Sequence, residues 1–371
     1  MRVMGASNRV PIAELGFDAD LLASLRRLIS RPLGLFLVCG PTGSGKTTTL
    51  HSLLGFINTA QRKIWTAEDP IEITQAGLRQ VQVNSKIGWT FAAAMRSFLR
   101  ADPDVIMVGE MRDAETAKVG IEASLTGHLV LTTLHTNSAI ECVIRLLDLG
   151  MDPFNFSDAL LGVLAQRLVK RLCPACKVKY VPAEDELREL AEEYCVDTQF
   201  DPRTTREGWV KRYADAGELA EDCINSELNP GTTREGWGKR YADALELAEE
   251  YCLDTQLDPG TTRKGWGAQL DPGTTRKGWG KRDAVARGGG VSLWRAAGCE
   301  RCDRTGYVGR MGLFELLVAD PKVKRLVQSR APMSDLKDAA TAMGMLTLKQ
   351  DGIERVLQGL TDMHQVRAVC G

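Results

Sequence analysis

The sequence predicts an α/β protein built on a parallel sheet, and three observations predict it. Apolar strand-like runs alternate with helical patterns from about residue 10 to 170. The stretch "GPTGSGKT" (40–47) stands between one such run and the next helix. Further along, the apolar run "DVIMVGE" (104–110) ends in a carboxylate.

The elements follow in order. "LGLFLVCG" (33–40) is unbroken in its apolar character, as a strand buried on both faces should be. A helix is expected over roughly 46–58, and "RKIWTAE" (62–68) reads as a second strand. "TFAAAMRSFLRADP" (90–103) reads as a helix that stops at Pro103, since proline ends a helix. "DVIMVGE" is the next strand, "RDAETAKVGIEASLTG" (112–127) a helix, and "HLVLTTLH" (128–135) another strand. "SAIECVIRLLDLG" and "FNFSDALLGVLAQRLVKRL" are expected to continue as helices.

After residue 182 the character changes. Residues 183–290 are polar and repetitive. "ELAEEYC" occurs at 189–195 and 246–252, "TTREGW" at 204–209 and 232–237, and "TTRKGW" at 261–266 and 274–279. Large aliphatics are few in each unit, so burial per repeat is poor, and a surface insertion of partial helices and loops is expected. Residues 291–371 return to globular composition with three short helical patterns.

Composition narrows the function classes. A chain of 371 residues with 44% apolar and 26% charged residues is ordinary for a soluble globular protein. A net charge of −1 and the lack of aromatic–basic clusters argue against a nucleic-acid partner. No apolar run approaches the length of a membrane span, and the first residues lack the apolar stretch of a secretory signal. A cytoplasmic protein is expected, with any membrane contact made through partners.

GxxxxGK[ST] between a strand and a helix has a physical reason for each part. The glycines let backbone N–H groups approach phosphates, and the helix N-terminus favours negative charge. Gly40, Pro41, Thr42, Gly43, Ser44, Gly45, Lys46, Thr47 and Thr48 are thus the expected nucleotide-binding residues. Lys46 would reach the β and γ phosphates, and the Thr47 hydroxyl would hold Mg²⁺. Glu110 ends an apolar strand, where phosphate-binding enzymes place a carboxylate. Gly109 stands where an aspartate is usual, so Glu110 reads as a general base that orients water rather than as a metal ligand. Glu68 and Asp69 follow the second strand, and His128 and His135 lie at opposite ends of another. Their spacing of seven puts the histidines on opposite faces, so they do not share a metal. Taken alone, each histidine fits a hydrogen-bonded core residue, and Glu68-Asp69 fits a solvated turn.

Ten cysteines remain to be sorted. Cys173-Pro-Ala-Cys176 and Cys299-Glu-Arg-Cys302 are two CxxC pairs, which together supply four thiolates for a closed tetrahedral Zn²⁺ site; redox pairs are the competing reading. Cys39 and Cys142 fall in apolar patterns and read as small buried hydrophobes. Cys195, Cys223 and Cys252 recur with the repeat and read as copied passengers.

"GPTGSGKTTTL", "TAEDPIEI", "QVQVNSKIGWTFAAAMRSFLRADPDVIMVGEMRD", "ASLTGHLVLTTLHTN", "LLGVLAQRLVKRLCPAC" and "GCERCDRTGYVGRMGLFELL" together carry a resemblance. Over residues 1–182 and 291–371 the chain resembles the secretion and pilus-assembly ATPases, the GspE/PulE/PilB type of type II secretion and type IV pilus systems. The resemblance implies a RecA-like P-loop NTPase core over 31–170, a zinc segment from 171–182 and 291–310, and a small helical C-terminal region over 311–371. It implies ATP hydrolysis with Lys46, Glu110 and Glu68 as catalytic residues. Asp69 falls in its aspartate box and His128 and His135 in its histidine box, and these support the site together with Arg112. ATP, Mg²⁺ and Zn²⁺ are the implied cofactors. The implied setting is a homo-hexamer at the cytoplasmic side of the inner membrane, docked on platform and docking proteins. The zinc segment separates assembly-type members from the retraction ATPases.

Two departures shape the expectation. Only 39 residues precede Gly40, where family members carry a domain whose arginines reach the phosphates. Residues 1–30 read as the tail of that domain, and hydrolysis by the present chain is expected to be weakened, because such arginines are worth roughly 10³–10⁵ in rate in related enzymes. The repeats of 183–290 lie between the two CxxC pairs and look like the family's ordinary connection duplicated. A nucleic-acid-dependent ATPase and a nucleotide-binding scaffold with little hydrolysis are the alternatives.

Overall fold

A computed structural model describes residues 10–196, 200–210, 212–213 and 291–370. Most of the repeats therefore lie outside the described residues, as does the start of the segment read as a domain tail. One compact unit, Met1–Trp209 with Val291–Gly371, carries the whole main sheet.

Seven strands form that sheet: β1 (Gly34–Cys39), β2 (Ile64–Glu68), β3 (Leu78–Gln82), β4 (Val105–Val108), β5 (Leu129–Leu134), β6 (Leu160–Leu172) and β9 (Tyr307–Val318). Their order is β3-β2-β4-β5-β1-β6-β9, parallel throughout except for β9, which runs antiparallel to β6. Helices cover both faces. On one, α1 (Ala19–Ile29) and α2 (Lys46–Ile57) bury Leu28, Ile29, Leu53 and Leu54 against Phe36 and Val38 of β1. On the other, α3 (Phe91–Phe98), α4 (Ala114–Leu125), α5 (Ala139–Asp148) and α6 (Pro153–Ala159) pack on Leu35, Leu37 and Cys39. Successive β1 residues thus serve opposite cores. All six are fully buried, and each large side chain withdrawn from water contributes roughly 1.5–3 kcal/mol.

Three expectations need correction. The stretch read as one helix from Phe154 to Leu172 is a short helix that gives way to a 13-residue strand, β6. Leu160, Leu161, Val163, Leu164 and Val169 are buried because β6 lies between β1 and β9 with helices on both faces, and such a strand does not alternate. The C-terminal region is not purely helical either: residues 311–318 belong to β9, which completes the sheet. Also, α3 ends at Phe98, short of Pro103.

A second, two-stranded sheet pairs β7 (Val178–Tyr180) with β8 (Leu293–Arg295). The repetitive segment leaves and returns at this ribbon. Its first part, α7 (Glu184–Cys195), docks on the C-terminal helices rather than looping free. These are α8 (Pro321–Gln328), α9 (Met333–Ala342), α10 (Leu348–Leu357) and α11 (Met363–Cys370). Gln350 on α10 donates to Tyr194 O at 3.1 Å, and Arg367 on α11 pairs with Glu193. A helical stretch over 202–210 follows and buries Trp209 edge-on against Tyr194, ring centres 5.3 Å apart.

Candidate functional site

The carboxyl ends of β1, β4 and β5 meet at one place, because the three strands are parallel neighbours. The loop 40–45 leaves β1 there and turns into α2. Gly45 caps the helix with φ 87°, a left-handed conformation that suits glycine. Lys46 opens α2 and folds back over the loop: its Nζ donates to Gly40 O at 2.9 Å and Pro41 O at 3.0 Å. Thr47 follows it, half-buried, offering the hard oxygen that Mg²⁺ prefers.

β4 and β5 bring the partners. Gly109 N donates to Ala67 O at 2.8 Å, and Thr133 Oγ1 donates to Gly109 O at 2.6 Å, so the turn carrying Glu110 is held from both sides. Arg112 Nε reaches Glu110 Oε2 at 2.6 Å, and His135 Nε2 lies 3.3 Å from Oε1. The other ring nitrogen, Nδ1, is 3.4 Å from Lys46 Nζ. Lys46, His135, Glu110 and Arg112 therefore form one chain of polar contacts at the mouth of the loop. Burial lowers the Lys46 pKa, and the charges of Glu110 and Cys39 oppose that shift.

Glu68, at the end of β2, is 3% exposed. Its carboxylate accepts from Thr66 Oγ1 at 2.6 Å and Gln80 Nε2 at 2.9 Å, and sits 3.2 Å from His51 Nε2. Burial alone would raise its pKa, but the hydrogen bonds of His51, Gln80 and Thr66 win and lower it. Because His51 belongs to α2, this network ties the phosphate-loop helix to β2.

The four cysteines of the CxxC pairs converge although 122 residues separate the pairs. All four sulfurs lie within 4.8 Å of one another. Cys173–Cys299, Cys176–Cys302 and Cys299–Cys302 are 3.9, 3.8 and 3.7 Å apart. Four thiolates at Zn–S distances near 2.3 Å around a tetrahedral ion would be spaced about 3.8 Å from each other, so the cage has the size of zinc. Burial opposes ionisation of Cys302, yet N–H groups of Cys299 and Gly306 bring it to about 6, whereas burial pushes Cys176 up to about 12. A cation among them would favour the thiolate forms.

A profile of the family described as "Type II/IV secretion system protein" matches residues 1–230 and 268–368. The chain belongs to this family. It is 36% identical over 369 residues to the type IV pilus assembly ATPase PilB of Thermus thermophilus, covering 99% of this chain and 31% of that protein. It is 36% identical over 363 residues to the type II secretion system ATPase E of Vibrio cholerae, covering 98% of this chain and 54% of that one. It thus spans about half the length, or less, of these relatives. The crystal structure of the pilus retraction motor PilT with bound ADP aligns with a TM-score of 0.55 at 22% identity, over 98% of this chain and 67% of that one. The Legionella pneumophila ATPase DotB aligns with a TM-score of 0.52 at 19% identity, over 97% and 65%. Both show the fold, in keeping with the RecA-like core that the resemblance implied.

Within this family member, Lys46, Glu110, Arg112 and His135 meet. Asp69 is exposed beyond the Glu68 network. His128 lies at the amino end of β5, with Nδ1 3.0 Å from Ala123 O. It is seven residues and about 23 Å of strand from His135, and so stands off the 40–45 loop. Cys39 and Cys142 are buried, as expected. Sequence reasoning missed His51 and Gln166. Both act through partners at least 17 positions away, so their local sequence gives no sign of what they bond. Among the described residues no helix is long and apolar enough to cross a membrane.

Proposed function

We propose that this chain binds and hydrolyses ATP as the motor of a type II secretion or type IV pilus assembly machine. It works as a homo-hexamer in the cytoplasm, docked on platform and docking proteins of the inner membrane. One observation carries the reading: Lys46, His135 and Glu110 converge at the mouth of the 40–45 loop. Relatives of both kinds match at 36% identity, which supports both machines equally.

The chemistry follows from the side chains. Backbone N–H groups of the loop and the first turn of α2 receive the triphosphate, aided by the helix dipole. Lys46, already poised over the loop, exchanges its carbonyl partners for phosphate oxygens. Thr47 would hold Mg²⁺, which when bound neutralises charge on the β and γ phosphates. Glu110, held by Arg112 and His135, orients a water and takes its proton as the bond from the γ phosphorus to the bridging oxygen breaks. Glu68 serves from behind, anchoring α2 through His51. Cys173, Cys176, Cys299 and Cys302 would hold Zn²⁺ as a closed structural site with no open position for catalysis.

Phosphate release by the purified chain tests the reading. Lys46→Ala should lose ATP binding. Glu110→Gln should keep it while turnover falls by about 10²–10⁴. A wild-type chain that fails to retain ATP at millimolar concentration with magnesium present would overturn it. Binding without phosphate release would favour a scaffold, and stimulation by single-stranded DNA would favour the nucleic-acid-dependent alternative.

A further inference from the structure

The glycine loop alone does not explain what fixes its shape. Gln166 sits on β6, one residue past Ala165, the partner of Cys39, and so lies abreast of Gly40. It is 4% exposed. Its Nε2 donates to Ser44 O at 2.6 Å, and its Oε1 accepts from Thr49 Oγ1 at 2.7 Å. Thr49 is fully buried in the first turn of α2. One side-chain amide therefore bridges the end of the loop and the start of the helix. The loop rests directly on this residue: a Cβ added at Gly40 would come within 2.4 Å of Gln166 O, and one at Gly45 within 2.9 Å of Gln166 Nε2.

The peptide bond gives this contact a consequence. Across a planar trans peptide the C=O and the following N–H point in opposite directions. Drawing Ser44 O down onto Gln166 therefore aims the Gly45 N–H up, into the mouth of the loop beside Lys46. We propose that Gln166 is a positioning residue for phosphate binding, which locks the Ser44–Gly45 peptide plane so that its N–H faces the phosphates. A side-chain amide suits this task. It must donate to a carbonyl and accept from a hydroxyl at once; a carboxylate cannot donate, and a thioether does neither job well. The proposal rests on the nucleotide reading of the loop, and its test separates the two.

The test measures affinity of the 371-residue chain for Mg·ATP and for inorganic tripolyphosphate by calorimetry. Gln166→Met, of similar length, should weaken both by about tenfold, the scale of one lost well-placed hydrogen bond. Its melting temperature should stay within a few degrees of wild type. Thr49→Ser should retain wild-type affinity, and Thr49→Val should lose part of it. Equal affinity in Gln166→Met and wild type, or a loss for ATP but not for tripolyphosphate, would overturn the proposal. Should Gln166→Met not fold, the threonine pair decides: equal affinities for Thr49→Ser and Thr49→Val count against it. A wild-type chain that binds neither ligand would instead sink the nucleotide reading itself.

Discussion

Lys46 and Glu110 are opposite charges that the fold keeps in each other's field without letting them bond directly. His135 stands between them, 3.4 Å from the ammonium and 3.3 Å from the carboxylate. Arg112 takes the other carboxylate oxygen. These contacts have different worth for stability and for chemistry. The Arg112 side chain is 63% exposed, and a pair of that kind contributes about 0–1 kcal/mol. On the proposed reading its value lies in aiming the Glu110 carboxylate as the general base. Arg112→Ala should therefore leave the urea midpoint almost unchanged while lowering the turnover number about tenfold, because a misaimed base loses part of the roughly 10²–10⁴ that general-base catalysis supplies. Side-by-side urea titrations and phosphate-release assays check this. A large stability loss, or full turnover, would show that Arg112 does something other than orient Glu110.

At the scale of elements, the legible parts are those whose role is written locally. The loop from Gly40 to Thr47 and the strand ending at Glu110 carry their chemistry in consecutive residues, so spacing alone places them. β6 was misread because Leu160, Leu161, Val163, Leu164, Leu168 and Val169 satisfy helical spacing as well as they fill a strand buried on both faces. Only its neighbours β1 and β9 decide the matter, and β9 lies more than 130 residues further on. The contacts of Gln166 were invisible for the same reason, since they are a matter of strand register. The join between β9 and α10 makes a second prediction. Asp351 on α10 accepts the Phe314 N–H at 2.9 Å and pairs with Arg355 at 3.2 Å. Burial pushes its pKa up to about 6; Arg355 opposes the shift and Asp18 adds to it. Between about pH 4 and pH 6 the folded chain thus holds a proton that the unfolded chain has lost, so this group's contribution to stability falls as pH rises through that window. A carboxyl raised from its ordinary value to about 6 corresponds to about 3 kcal/mol. The unfolding free energy of wild type minus that of Asp351→Asn should fall by that order from pH 4 to above pH 6, and a difference independent of pH would contradict it.

Across the whole molecule, the cysteine cage is where distant parts of the chain are fastened. Cys173 follows directly on β6, and Cys302 stands five residues before β9, so the cage closes the end of the antiparallel pair that completes the sheet. Beside it, Lys177 donates to Gly359 O at 2.8 Å, and Trp294 packs on the same glycine, which joins the ribbon to the turn between α10 and α11. Loop-closure entropy grows slowly with length, so a cage of this kind lets the connection from β7 to β8 carry a long repetitive segment at little cost to the core. The 40–45 loop lies at the other end of this lever: Gln166 precedes Cys173 by seven residues, about 23 Å of strand. Stability and nucleotide affinity should therefore separate. The purified chain should carry one zinc per molecule by elemental analysis. Withdrawing it with a zinc-selective chelator, magnesium left in place, should lower the melting temperature by about 5 °C or more, a loss of at least about 1–3 kcal/mol. Cys302→Ser should do the same, and deuterium uptake should rise in 171–180 and 293–307, while ATP affinity stays within about twofold, as expected for sites too far apart to share partners. If zinc is absent and the cysteines are found oxidised in pairs, the redox reading of the two CxxC motifs gains the ground; if ATP affinity collapses together with the cage, the two ends of β6 are coupled.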